Sequence, residues 1–168
     1  FNTDADRFLG AIDRMCDRLS VVCVFRTHLN TGVGAGQGYR NICYAPHAVF
    51  PDTEEILLAG DMLVCDWSSI AFDYLLLDRP TVFLDVPAPF RKGFSLDASY
   101  RFGRVVADLE EMLASLELYT QQPELYWSVH GSRCEAVKRE LYDANADGNA
   151  SRRCYERLER LLGERRDY

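Results

Sequence analysis

Four short, predominantly apolar runs limit the folds open to this chain: Val21-Val22-Cys23-Val24-Phe25, Ile42-Cys43-Tyr44-Ala45, Met62-Leu63-Val64-Cys65 and Thr81-Val82-Phe83-Leu84-Asp85-Val86. Continuous apolarity over so few residues, rich in β-branched side chains, is what a strand covered on both faces requires. The segments between them keep a helical period instead. Residues 4–19 carry Phe8, Leu9, Ile12, Met15, Cys16 and Leu19 at helical spacing among Asp and Arg, an amphipathic pattern. A helix over 52–59 is opened by Asp52 or Thr53, with Glu54 and Glu55 in its first turn, where acidic side chains suit the helix dipole. Another runs from about Ser68 to Leu77 and is stopped by Pro80. A loop with Pro87, Pro89 and Gly93 leads toward Val105-Val106, and three helices follow, over 109–116, 121–142 and 149–163. Strands alternating with helices predict βαβ units: an α/β domain with a Rossmann-like parallel sheet, right-handed crossovers and flanking helices. No internal repeat or linker interrupts the pattern, so residues 1–168 read as one domain.

Composition narrows the function classes. The 168 residues include 19 basic and 26 acidic side chains, a formal charge of -7. Sequence-independent nucleic-acid binding needs clustered Lys and Arg, so nucleic acid is not an expected partner. Hydrophobic residues at 48% and charged residues at 27% are those of a globular chain rather than a disordered one. The six cysteines, Cys16, Cys23, Cys43, Cys65, Cys134 and Cys154, form no C-x-x-C pair and match no zinc spacing. They read as free, mostly buried thiols of a reducing cytoplasm, and neither metal nor cofactor is expected. No signal peptide or membrane-spanning run stands in the sequence, and the chain opens on Phe1 rather than Met, which reads as a domain of a longer protein.

The segment Asp66-Trp67-Ser68-Ser69-Ile70-Ala71-Phe72-Asp73 concentrates the chemistry. A buried strand runs into Asp66, the chain turns, and two serines open a helix. Unpaired N–H groups and two hydroxyls at the carboxyl end of a strand make a phosphate cradle, in the place where open α/β sheets bind ligands. The alternative is that Ser68 caps the helix and Asp66 fixes the turn. Arg26-Thr27-His28 ends another predicted strand on the same rim; His28 there can protonate, deprotonate or hold a phosphate, with Arg26 beside it. The glycine-rich stretch 32–38 leads to a second strand without an intervening helix, so it fails the dinucleotide fingerprint. His47, in a strand-end loop, is a weaker site candidate, and His130 reads as structural or exposed. In Asp147-Gly148-Asn149-Ala150-Ser151-Arg152-Arg153, an arginine in the first turn of the last helix offers a phosphate a planar fork of donors; the alternative is a capped surface helix.

These motifs together resemble a known family. Residues 61–80, which include D-W-S-S-I-A-F-D-Y-L-L-L-D-R-P, are similar to the Asp-Tyr-Ser-Ser-Ile-x-x-Asp signature of the CDP-glycerol glycerophosphotransferases, the teichoic-acid and capsule polymerases. Arg26-x-His28, the Arg91-Lys92-Gly93-Phe94 loop and the Asp147–Arg153 stretch follow that family's order, so the likeness covers most of the chain. It implies a GT-B architecture, of which this chain looks like the C-terminal, donor-nucleotide half, acting with an N-terminal domain outside it. It implies transfer of polyol phosphate from CDP-glycerol or a related CDP-polyol to a polymer hydroxyl, with release of CMP, by an enzyme peripheral at the inner face of the membrane. Ser68 and Ser69 would bind the diphosphate, His28 would contact or protonate it, Arg153 would neutralise its charge, and Asp73 would fix the helix or reach the ligand. Two positions depart from the pattern: Leu29 follows His28 where the family has proline, and Trp67 replaces tyrosine, a mild change. A GT-B glycosyltransferase using a nucleotide sugar shares the architecture, and a non-catalytic scaffold for polymer assembly is the alternative from another class.

Overall fold

The computed structural model describes residues 4–26, 38–88 and 97–164. Its elements run α1 (Ala5–Leu19), β1 (Cys23–Phe25), β2 (Ile42–Tyr44), α2 (Thr53–Ala59), β3 (Leu63–Cys65), α3 (Ile70–Leu75), β4 (Thr81–Leu84), β5 (Arg104–Val106), α4 (Leu109–Gln121), α5 (Pro123–Tyr142) and α6 (Ala150–Glu164). Local chemistry sets most of the helix ends. Asp4 caps α1 by accepting from the Arg7 N–H at 2.8 Å, and Asp52 caps α2 through the Glu54 and Glu55 N–H groups at 2.9 and 3.3 Å. Asp108 accepts from the Glu111 N–H while the Glu111 carboxylate reaches back to the Ala107 N–H, a reciprocal cap that opens α4. Pro123 stands in the first turn of α5, where its missing N–H costs nothing.

The strands are parallel, as their patterning predicts, but they pair as two sheets rather than one: β1 with β2, and β3-β4-β5 with β4 in the middle. Thr81, Val82 and Phe83 are all buried on β4, the middle strand, against which both α3 and α4 pack. The outer pair differs from expectation. Val24 and Cys43 are register partners and both are exposed, so this face of β1–β2 is left uncovered by the described elements. Burial on both faces therefore holds for the central strand and fails at this edge. Cys16, Cys65 and Cys134 are buried, Cys23 is half-buried, and Cys43 and Cys154 are exposed. Two helix boundaries also move: α3 is confined to six residues, so both serines precede it, and α4 extends to Gln121.

The core joins α1, the three-stranded sheet, α4 and α5. Phe102, 1% exposed, meets Phe83 edge-on at 5.1 Å and Phe72 at 6.2 Å. Burying such a ring contributes roughly 1.5–3 kcal/mol, and it anchors the chain immediately after Arg101. Tyr126, fully buried, packs edge-on to Tyr119 at 5.2 Å. Arg79 closes α2 from outside by donating to the Leu58 carbonyl at 2.7 Å and to the Gly60 carbonyl at 2.5 Å. Helix α6 is different: its described residues are exposed apart from half-buried Arg153.

Candidate functional site

The carboxyl ends of β3 and β4 lie side by side, since Cys65 is the register partner of Phe83. Past β3, Asp66 turns its carboxylate onto the Ser68 N–H at 3.1 Å, an Asx turn that folds the chain back on itself. Ser69 takes the cap position of α3 with helical backbone angles and makes no side-chain cap bond. Capping therefore does not occupy either serine. Both are exposed, and among the described residues neither hydroxyl nor the N–H groups of Ser69 and Ile70 have a hydrogen-bond partner within the chain. Two hydroxyls and two amides thus stand together as unused donors at a strand end. With only six helical residues, the dipole of α3 adds little, and the donors carry the electrostatics.

Trp67, inside this turn, is more than a mild replacement for tyrosine. Its indole N–H donates to the Val86 carbonyl at 2.7 Å and so ties the turn to the end of β4. The Arg101 guanidinium lies over its ring, with Cζ 4.1 Å from the centroid, an arrangement that favours a cation. Arg101 Nη1 also donates to Asp85 at 3.2 Å, and Nη2 to the Leu84 carbonyl at 3.3 Å. Sequence reasoning misses Arg101. It lies 35 residues beyond Asp66 in the chain, and no local pattern marks it. Burial pushes the Cys65 thiol up to about 12, with Asp66 adding and Arg101 opposing, so this strand-end cysteine stays protonated and is no nucleophile.

Arg26 stands at the end of β1, but its donors are occupied by the loop that follows β2. It donates to the Phe50 carbonyl at 2.7 Å, to Thr53 Oγ1 at 2.9 Å, to His47 Nδ1 at 2.9 Å and to the Ala45 carbonyl at 3.4 Å. Because arginine only donates, His47 Nδ1 accepts and its ring proton sits on Nε2. Arg26 is thus a clamp on residues 45–53. Arg26→Met is expected to speed limited proteolysis of that loop by roughly tenfold, since several charge-assisted bonds are lost at once. Arg26→Lys should not restore protection, because an ammonium lacks the fork. Unchanged cleavage in both variants would remove the clamp assignment.

The other candidates fall in three places. His28, the glycine-rich stretch 32–38 and the Arg91–Phe94 loop lie outside the described residues. Arg153 is turned onto its own loop: Nη1 donates to both Asp147 oxygens at 2.7 and 2.9 Å, and Nη2 to the Asn145 carbonyl at 2.9 Å. The Arg153 guanidinium beside Asp147 holds that carboxyl down at about 2. Asp73, exposed on α3, lies on the side of Tyr142 at the end of α5, and its charge helps raise that phenol after burial, the larger cause. His130 packs against Tyr119 and Tyr126, and burial, then the Arg104 charge, lower its pKa, as a structural histidine requires. Among the described residues there is no group of three or more His, Cys, Asp or Glu side chains placed to hold a metal ion, and no helix is long and apolar enough to cross a membrane.

The profile of the family described as CDP-glycerol:poly(glycerophosphate) glycerophosphotransferase matches residues 20–160. No curated protein sequence matches the chain significantly. Among solved structures, a variant of the wall teichoic acid polymerase TagF soaked for 15 minutes with CDPG superposes with a TM-score of 0.70 at 19% identity, over 99% of this chain and 41% of that one. TagF without the soak superposes with a TM-score of 0.66 at 21% identity, over 92% of this chain and 38% of that one. The chain therefore spans about two fifths of the length of the structures whose fold it shares.

Proposed function

We propose, from the premise that this chain belongs to the CDP-glycerol:poly(glycerophosphate) glycerophosphotransferase family, that it is the donor-binding domain of a GT-B transferase. The observation that carries this reading is the set of four unused donors at Ser68, Ser69 and Ile70, held at a strand end by the Asp66 turn. Its ligand is the diphosphate of CDP-glycerol or a related CDP-polyol. An acceptor hydroxyl attacks the β-phosphorus in line; the new oxygen–phosphorus bond forms as the bond to the bridging oxygen breaks, and CMP leaves with that electron pair. The acceptor's proton passes to a base, which in this reading belongs to the partner domain. Catalysis then rests on positioning and on charge stabilisation.

Within this reading the serine hydroxyls and amides hold the equatorial phosphate oxygens, where donors fixed in advance need no reorganisation as charge develops. His28 contacts or protonates the departing phosphate, as its motif implies. Among the described residues Arg153 has Nε–H and one Nη2 hydrogen left to offer beyond Asp147 and Asn145. Arg26 serves the site through the loop it clamps, and Asp73 through the helix that follows the serines.

Calorimetric titration of CDP-glycerol and CMP into the chain tests the proposal. Weak binding with a dissociation constant on the order of millimolar is expected, without turnover. Absence of heat at millimolar CDP-glycerol would count against the site, and preferential retention of UDP-sugars over CDP-polyols would transfer the reading to a nucleotide-sugar donor.

A further inference from the structure

The place of Arg101 is not accounted for by packing alone. Its side chain is only 8% exposed, whereas that of its counter-ion Asp85 is 62% exposed. A dry cation is thus paired with a carboxylate that water largely screens. Its Nε is buried and has no hydrogen-bond partner among the described residues, although the two terminal nitrogens are engaged. A buried charge with an unfilled donor costs stability, and an apolar side chain of the same size would avoid that cost. The cost falls where it has an electrostatic use: the guanidinium is stacked on Trp67, the residue between Asp66 and the two serines, at the joined ends of β3 and β4.

We propose that Arg101 is a positioning residue of the phosphate site, a buried cation behind the Asp66–Ser69 turn whose charge, carried on the Trp67 ring, favours a diphosphate there. The inference rests on the phosphate reading of that turn and deepens it. The cation acts through the turn: it fixes the indole, the indole fixes the serines, and its charge, only partly offset by the water-screened Asp85, raises the potential where the phosphates sit. Low local dielectric makes such a charge effective over several ångströms.

The test uses the full-length protein and compares binding of CDP, CMP and cytidine by calorimetry. Arg101→Met is expected to weaken CDP by about tenfold, CMP by less and cytidine not at all, and Arg101→Lys should recover much of the CDP loss. A second variant probes the same field where the fold is tolerant. Asp85→Asn removes an exposed counter-charge and should tighten CDP several-fold, leaving cytidine unchanged. Equal loss of all three ligands in Arg101→Met would make the residue merely structural and overturn the proposal. So would unchanged CDP binding in both Arg101→Met and Asp85→Asn. Failure of the unsubstituted protein to bind CDP would instead overturn the underlying phosphate reading.

Discussion

Replacing Ser68 and Ser69 together by alanine in the full-length protein is expected to lower polyol-phosphate transfer about 10²–10³-fold, the scale at which a preorganised anion donor is lost. The thermal midpoint should move little, because neither hydroxyl caps α3 or bonds elsewhere among the described residues. A serine whose loss cost only activity is a ligand-binding serine; a serine cap would cost stability, about 1 kcal/mol in the usual case. Steady-state transfer and a thermal melt on the same preparation therefore separate the two roles. Full activity in the double variant would end the phosphate-cradle assignment. Arg153→Ala is a weaker probe, since it also releases Asp147 from its clamp and disturbs the turn that opens α6.

Gly103→Ala is expected to be the most damaging added methyl group among the described glycines. An added Cβ would stand 2.1 Å from the Thr81 carbonyl oxygen, 2.9 Å from the Tyr126 hydroxyl and 3.0 Å from the Thr81 carbonyl carbon. Two of these are backbone atoms of the central strand, which cannot turn aside as a flexible side chain does. The start of β5 must move away from β4, and the Tyr126 hydroxyl must shift with it, so a loss of about 3 kcal/mol follows. For a domain of this size that is a fall of roughly 6–12 °C in thermal midpoint. Differential scanning calorimetry decides it: a shift under about 2 °C would mean the strands yield far more easily than native packing allows. The same displacement would disturb the Phe102 anchor and hence Arg101, so donor binding should weaken with stability.

Much of the framework was legible because the responsible interactions are local. Asp52 caps a helix whose N–H groups lie two or three residues away; Asp4 and Asp108 act over the same short span, although the periodic pattern alone located their helices. The Asp66–Ser69 turn was legible for the same reason, since the Asp66 bond spans only two residues. Periodicity misjudged the extents. It carried α3 back to Ser68, although the two serines have their own turn, and it ended α4 before Gln121. It also treated all strand runs as equally buried, although cover depends on which helices return to each sheet. Thr81 to Phe83 are buried in succession beneath the helices that pack on β4; Val24 and Cys43 are left exposed.

The sequence by itself therefore determined the α/β class, most of the helix starts and the Asp66-Trp67-Ser68-Ser69 turn, together with the family to which they point. Those features are set by hydrogen bonds and side-chain spacing within a few residues, which any conformation of the neighbouring chain preserves. Only the tertiary structure decided what surrounds the turn. Arg26 reaches 19 to 27 residues along the chain for its partners and becomes a loop clamp. Arg101 meets Asp85 and Leu84 across 16 and 17 residues and covers the Trp67 ring. Such meetings exist only after parallel strands have been laid side by side, and that is why a cation placed behind the serines left no mark in the local pattern.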